Sequence, residues 1–298
     1  NGVIDTLYFG LQAIPNIKDL QVDLTSIGFL RPGFKAKYKL QYQNVGTDTL
    51  YNVQVKFLKP NQLSNLSALP AANSIIGDTL IWNIASLIPF QHGDVIITDS
   101  VFANAVLGDT ARAYAWIEPI LGDTMSLNNR AISTNIIRGA YDPNDKSVSP
   151  EVVAPNSIEN LEYIIRFQNT GTDTAFTVTI IDTLSNLLDV YSMEMISASH
   201  PYQLSVTNRI AKWIFSNILL PDSNTNEVAS HGFIKFNIKP QHGITTNDSI
   251  TNEAKIYFDY NEPITTNEAF HTIGRDFILE SIDWVREKID VTFYPNPT

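Results

Sequence analysis

Residues 34–43 alternate without interruption. Phe34, Ala36, Tyr38, Leu40 and Tyr42 share one face of an extended chain, and Lys35, Lys37, Lys39, Gln41 and Gln43 share the other. Successive side chains of a strand point to opposite sides, so this pattern predicts a half-buried antiparallel strand. After a short polar break the apolar phase resumes at Tyr51, Val53, Val55 and Phe57. The arrangement returns 125 positions on (Asn44 to Asn169), with Leu161, Tyr163, Ile165 and Phe167 before the break and Phe176, Val178 and Ile180 after it. The breaks match residue for residue, YQNVGTDTLYNVQVKF at 42–57 and FQNTGTDTAFTVTIID at 167–182. Each copy reads as strand–turn–strand. Glycine is expected to supply a positive φ there, and Asn, Asp and Thr side chains to satisfy the freed backbone groups.

Further apolar segments at 79–84, 95–102 and 112–117 in the first half, and at 232–239 and 254–259 in the second, are set apart by Gly-Asp-Thr or Asn-rich breaks. A tryptophan recurs at a comparable place, Trp82 in LIWNIASLIP and Trp213 in AKWIFSNILLP, so both are expected in the core. About seven short strands in each half predict an all-β chain of two tandem immunoglobulin-like antiparallel sandwiches with a short C-terminal linker. The expected divisions are an N-terminal linker or end of an upstream domain at 1–16, sandwiches at 17–140 and 141–274, a linker at 275–290, and a separate segment at 291–298. In the linker, Ile278, Ile282, Val285 and Ile289 suit one face of a short helix, with a strand or flexible segment as the alternative.

Composition narrows the function. The chain has 298 residues, enough for two domains with their own cores. A net charge of −11 with no basic stripe argues against nucleic acid. No apolar run approaches the roughly 18–20 residues of a membrane helix. Cysteine is absent, which removes disulfides, thiol catalysis and cysteine-ligated zinc. The five histidines show no HExxH or HxH spacing. Ser199-His200 and Ser230-His231 are adjacent pairs, but neither sits in a GxSxG elbow. No enzyme is expected.

Three stretches resemble secreted proteins of the Bacteroidetes type. YDPNDK at 141–146 and AKIYFDYNEPITTN at 254–267 are similar to the opening and closing of a domain that usually precedes the sorting domain of those proteins. The terminal VTFYPNPT, with Phe293, Tyr294, Pro295, Asn296 and Pro297, resembles the first strand of a type A sorting domain of the type IX secretion system. The first half resembles, more loosely, bacterial surface repeats typified by the Asn-Xaa-Gly-Thr turn. The resemblance implies export through the type IX translocon and its sorting-domain shuttle protein, release or attachment to surface lipopolysaccharide, and an address at the outer surface of a Gram-negative cell. It implies a non-catalytic spacer module. The alternatives are an adhesive or carbohydrate-binding sandwich, or accessory domains of a larger secreted hydrolase. The tail is expected to stand apart from the sandwiches, with an added edge strand through Val291 and Phe293 as the competing reading.

Three sets of side chains are candidates for chemistry. Asp142, Asn144 and Asp145 at the start of the second domain and Asp259 and Asn261 near its end offer hard oxygens that would suit Ca²⁺, the only cofactor with a place here; the competing reading is a pair of capped turns. Lys146 on the first strand, with Asn261 or Asn267 near the last, matches the Lys–Asn isopeptide pairing of some bacterial surface sandwiches, in which a buried carboxylate promotes proton transfer. That requires a buried lysine, against the simpler expectation of an exposed one answering its neighbouring Asp. An Asp-Thr/Ser-aliphatic tripeptide resembles the periplasmic O-glycosylation sequon of Bacteroidetes. It puts candidate hydroxyls at Thr6, Thr49, Thr79, Ser100, Thr110, Thr124, Thr174, Thr183 and Ser249. Turn chemistry explains the same tripeptides without a sugar.

Overall fold

The alternating segments pair as two sandwiches built to one plan. The computed structural model describes residues 13–64, 66–139, 142–246 and 248–274, and the chain divides into two compact units between Tyr141 and Asp142. In the first unit one sheet has the order β1 (Leu20–Ile27), β2 (Lys35–Asn44), β7 (His92–Ser100), β4 (Ser67–Leu69). The other has the order β5 (Ser74–Ile76), β6 (Thr79–Leu87), β3 (Leu50–Leu58), β8 (Thr110–Glu118), β9 (Arg130–Ile136).

The second unit repeats both sheets. Its first has the order β10 (Asp145–Ser149), β12 (Leu161–Gln168), β17 (His231–Pro240), β14 (Leu188–Ala198). Its second has the order β15 (Gln203–Thr207), β16 (Ile210–Leu220), β13 (Ala175–Thr183), β19 (Ala254–Phe258), β20 (Ile264–Thr265). A small third sheet holds β11 (Val152–Val153) parallel to β21 (Ala269–Ile273), which pairs antiparallel with β18 (Ser249–Asn252). Strand 254–258 therefore does not close the unit, because β20 and β21 follow it. Both units are immunoglobulin-like sandwiches.

Each core forms where the two sheets face each other. Tyr38 meets Phe57 at 5.6 Å between centroids, and Trp213 meets Phe236 at 5.4 Å. Trp82 and Trp213 are buried at 4% and 0% exposure, with indole N–H groups donating to the Pro70 carbonyl and the Met195 sulfur. One expectation fails at the same place in both units. Tyr51 and Phe176 are 65% and 58% exposed, and Leu50 and Ala175 are buried instead. Asn52 takes φ +53° in the first unit, and the ladder shifts between Ala175 and Thr177 in the second. An irregularity of one residue reverses the facing of what precedes it. Phe34 also lies 43% exposed, just before β2 begins.

The repeated turn works through its asparagine. Asn44 Nδ2 donates to the carbonyls of Asp48 and Leu87, and Asn44 Oδ1 accepts from Gly46 N. Asn169 does the same with Asp173, Leu220 and Gly171. Leu87 and Leu220 end strands of the opposite sheet, so one carboxamide ties turn and both sheets together. Neither glycine adopts the expected positive φ. Gly46 is needed for space, since a Cβ there would collide with the Ile17 carbonyl.

A second repeated spacing follows the ladder. Gly93 lies opposite Tyr42, and Gly232 lies opposite Phe167, with the aromatic ring occupying the room a Cβ would need. Gly232→Ala should therefore displace Phe167 and cost about 1–3 kcal/mol. Asn169→Ala strands a buried carbonyl and should cost about 2–3 kcal/mol. Calorimetry of the two variants should show the second unit's transition lowered by several degrees. An unchanged midpoint for Asn169→Ala would remove the clamp's structural role.

Candidate functional site

The second unit holds a polar cluster inside its core. Lys146 on β10 pairs with Ile165 of β12, so its side chain points from one sheet toward the other. Its Nζ donates to Asp182 Oδ2 of β13 at 2.5 Å, and both side chains are 0% exposed. The Tyr163 ring lies 5.0 Å from Nζ, stacks on Phe236 and meets the His271 ring edge at 5.2 Å. His271 Nδ1 is 2.5 Å from the Pro150 carbonyl, which makes Nδ1 the protonated nitrogen of a neutral ring. Asn252 ends β18 with its side chain buried.

The cluster is only partly satisfied. Asp182 Oδ1, Tyr163 Oη, His271 Nε2 and both polar atoms of Asn252 have no hydrogen-bond partner. Burial pushes the Lys146 ammonium below the ordinary lysine range, against the pull of the Asp182 carboxylate. Burial and then Asp182 push the Tyr163 phenol up. Burial lowers the His271 imidazole, and nearby Lys146 lowers it further against the Pro150 hydrogen bond.

The first unit shows what this position is without its chemistry. By strand register, Leu24 faces Leu40 where Lys146 faces Ile165, and Phe57 faces Ala115 where Asp182 faces Ala254. Two residues before Ala115 stands Ala113, where the second unit has Asn252 two residues before Ala254. Leu24, Phe57 and Ala113 are all buried and apolar. One fold thus carries an apolar trio once and Lys–Asp–Asn once.

Sequence reasoning placed these residues differently. Lys146 is sealed, which overturns the simpler expectation of an exposed lysine. Asp182 opens one of the glycosylation tripeptides, yet its phase with Val178 and Ile180 turns it inward. Asn252 was missed; the alignment of the two repeats was the signal. Asn261 is exposed in the turn after β19. Asn267 holds the backbone of Lys146, its Oδ1 accepting from N and its Nδ2 donating to O. Neither carboxamide is presented to Nζ.

The calcium set is not brought together. Asp142 Oδ1 accepts from Asn144, Asn144 Oδ1 accepts from Gln168 N, and Asp145 pairs with Arg166 at 3.2 Å. Asp259 Oδ1 accepts from the backbone of Phe176 and Thr177. Among the described residues no three acidic or histidine side chains form a metal cluster. Asp142 and Asp259 thus accept from backbone N–H groups, and Asp145 is engaged by an arginine. Of the candidate hydroxyl residues, Thr110, Thr124, Thr183 and Ser249 are exposed, while Thr49, Thr79, Ser100 and Thr174 are half-buried. Ser199 Oγ both donates to and accepts from the Phe233 backbone, and Ser230 is buried against Gln168 and Glu227. Thr6, the 275–290 linker and the sorting residues lie outside the described residues.

One outward-facing concavity stands on the first unit. Leu58, Tyr114 and Ile132 form one row across β3, β8 and β9, and Lys56, Trp116 and Arg130 form the next. Leu58, Tyr114, Trp116, Glu118, Arg130 and Ile132 line a groove of about 460 Å³. Tyr114 and Trp116 lie on the outward face of β8. Their neighbours Ala113, Ala115 and Ile117 fill the core instead.

The chain is an all-β protein of two immunoglobulin-like sandwiches. Residues 142–272 match a family model described as a domain of unknown function, DUF7619. No curated protein matches the chain. Among solved structures it is similar to the C-terminal domain of the Streptococcus agalactiae AgI/II polypeptide BspA, at 10% identity over 84% of this chain and 99% of that one, with a TM-score of 0.30. It is also similar to the collagen adhesin CNA from S. aureus, at 11% identity over 89% and 95%, with a TM-score of 0.28. The CARDB domain of PF1109 from Pyrococcus furiosus shares 16% over 44% of this chain and 99% of that one, with a TM-score of 0.31. Likeness at this level leaves the fold to rest on the strand pairing itself.

His271 carries a pH prediction. Its folded pKa lies below the ordinary value of 6.5, so the unfolded chain binds more protons there and stability falls as pH drops below about 6.5. Thermal melts between about pH 7.5 and 5.5 should show a loss for the second unit that His271→Gln reduces. An identical slope in both proteins would assign the acid sensitivity elsewhere.

Proposed function

We propose that this chain is a non-catalytic structural module of a secreted or cell-surface protein, exported by the type IX route and spacing neighbouring domains. The observation that carries this reading is the duplication. The chain builds one sandwich twice, and the reactive groups of the second unit are sealed between its sheets rather than opened to a substrate. The resemblance of 141–146, 254–267 and 291–298 to secreted Bacteroidetes proteins supports the export route, with the translocon and its shuttle protein as partners and surface lipopolysaccharide as an attachment site. Four exposed hydroxyl residues, Thr110, Thr124, Thr183 and Ser249, are open to O-glycosylation.

The groove of the first unit favours a second reading, an adhesive or carbohydrate-binding role. Tyr114 and Trp116 offer ring surface, and Glu118 and Arg130 offer hydrogen bonds beside it.

Two measurements separate these readings. Deleting residues 276–298 in the natural host should abolish export and leave the thermal midpoint unchanged; a drop of several degrees would make the tail part of a sandwich. On a glycan array the chain should bind nothing that Trp116→Ala abolishes. Binding lost in that variant, with the fold intact by circular dichroism, would establish the adhesive reading instead.

A further inference from the structure

The core of the second unit holds an amine and a carboxylate in contact, with a primary carboxamide on the same buried face, where the first unit has leucine, phenylalanine and alanine. Lys146 Nζ already donates to Asp182 Oδ2. Asp182 faces Ala254 across the β13–β19 ladder, and Asn252 stands two residues earlier, with only Glu253 between β18 and β19. Asn252 and Ala254 keep the same phase and are both buried, so the carboxamide lies on the core face one step along from Asp182. His271 lies on the same face of the β18–β21 pair, and its ring meets the edge of the Tyr163 ring that Lys146 Nζ approaches at 5.0 Å. A buried amide with neither atom bonded is rare and costly.

We propose that Lys146 and Asn252 form an intramolecular isopeptide bond, with Asp182 as the acid–base catalyst. Asp182 takes a proton from the Lys146 ammonium, and the neutral amine attacks Asn252 Cγ. The new Cγ–Nζ bond forms as the Cγ–Nδ2 bond breaks. Asp182 relays a second proton from Nζ to Nδ2, which leaves as ammonia. The proton Asp182 first accepted departs with it as ammonium, and the carboxylate is restored. No oxidant, cofactor or second substrate is needed.

The enclosure favours each step. Burial lowers the cost of neutralising the amine. Tyr163 and Phe236 stack beside it and limit competition from water. The product amide is uncharged, so the bond removes a buried ammonium and the unbonded Asn252 NH2 group, and leaves one amide N–H that can donate to Asp182. It would join β10, the first strand of the unit, to β18 of the small third sheet.

Intact-mass spectrometry decides the matter. The 298-residue chain, made in a cytoplasm that adds no glycan, should weigh one ammonia less than its sequence when denatured. Trypsin should fail to cut after Lys146 and should yield a branched peptide joining it to residues 236–255. Asn252→Ala and Asp182→Ala should each restore the calculated mass. A wild-type mass equal to the calculated one overturns the proposal, whether or not the variants fold. Ammonia loss without a branched peptide, or a branch at Asn261 or Asn267, overturns it equally. A branch at Asn252 that survives in Asp182→Ala would overturn the role given to the aspartate.

Discussion

One carboxamide at the end of each sandwich holds two sheets and a turn in a single set of hydrogen bonds. Asn44 and Asn169 each donate twice and accept once, and the strand ends they reach, at Leu87 and Leu220, belong to the opposite sheet. A backbone carbonyl sealed at a sandwich end must find a donor or lose its share of hydration, at about 1–3 kcal/mol. Only a short amide side chain, with two donors and an acceptor on one plane, meets all three groups from this position. Aspartate would present oxygen to two carbonyls. The rest of each domain, from the phase of β3 or β13 to the packing of the tryptophan, depends on the turn being held in that place.

From this common frame the two cores diverge in chemistry. The first fills the region between its sheets with Leu24, Phe57 and Ala113, which bury apolar area without desolvating a charge. The second places Lys146 and Asp182 there. Removing two ions from water costs several kcal/mol each, and their attraction offsets that only with good geometry and satisfied remaining valences. Here the attraction is present and the valences are not, since Asp182 Oδ1 and the Asn252 amide are unbonded. A sandwich that folds well with an apolar trio has no structural need of such a cluster. That contrast within one chain is the strongest indication that the cluster has chemistry to perform.

The outer faces divide differently. In the first unit, Tyr114 and Trp116 lie on the outside of the sheet because Ala113, Ala115 and Ile117 already fill the inside. The small inward residues leave the large ones to solvent, which produces a groove without any special loop. In the second unit the polar caps, including Asp259 on the Phe176 and Thr177 amides, are absorbed into turn geometry.

The duplicated motif, the period-two alternation and the recurring tryptophan determined the fold class and the division near residue 141, because each follows from local facing and a repeat visible in the chain. The sequence also marked Lys146 as worth attention. What it left undetermined are the facts that depend on pairing across sheets. Tyr51 and Phe176 read as inward until an irregularity of one residue turned them out, and nothing local announces that irregularity. Asp182 read as half of a turn tripeptide, and Asn252 as one polar residue among many. Only the register of β13 with β19, and of β18 with β21, placed both on the face toward which Lys146 points. Alternation says which residues share a side; the tertiary fold alone decides which sides meet, because the contacts that close the unit join segments more than a hundred residues apart, as Lys146 and Asn267 are joined.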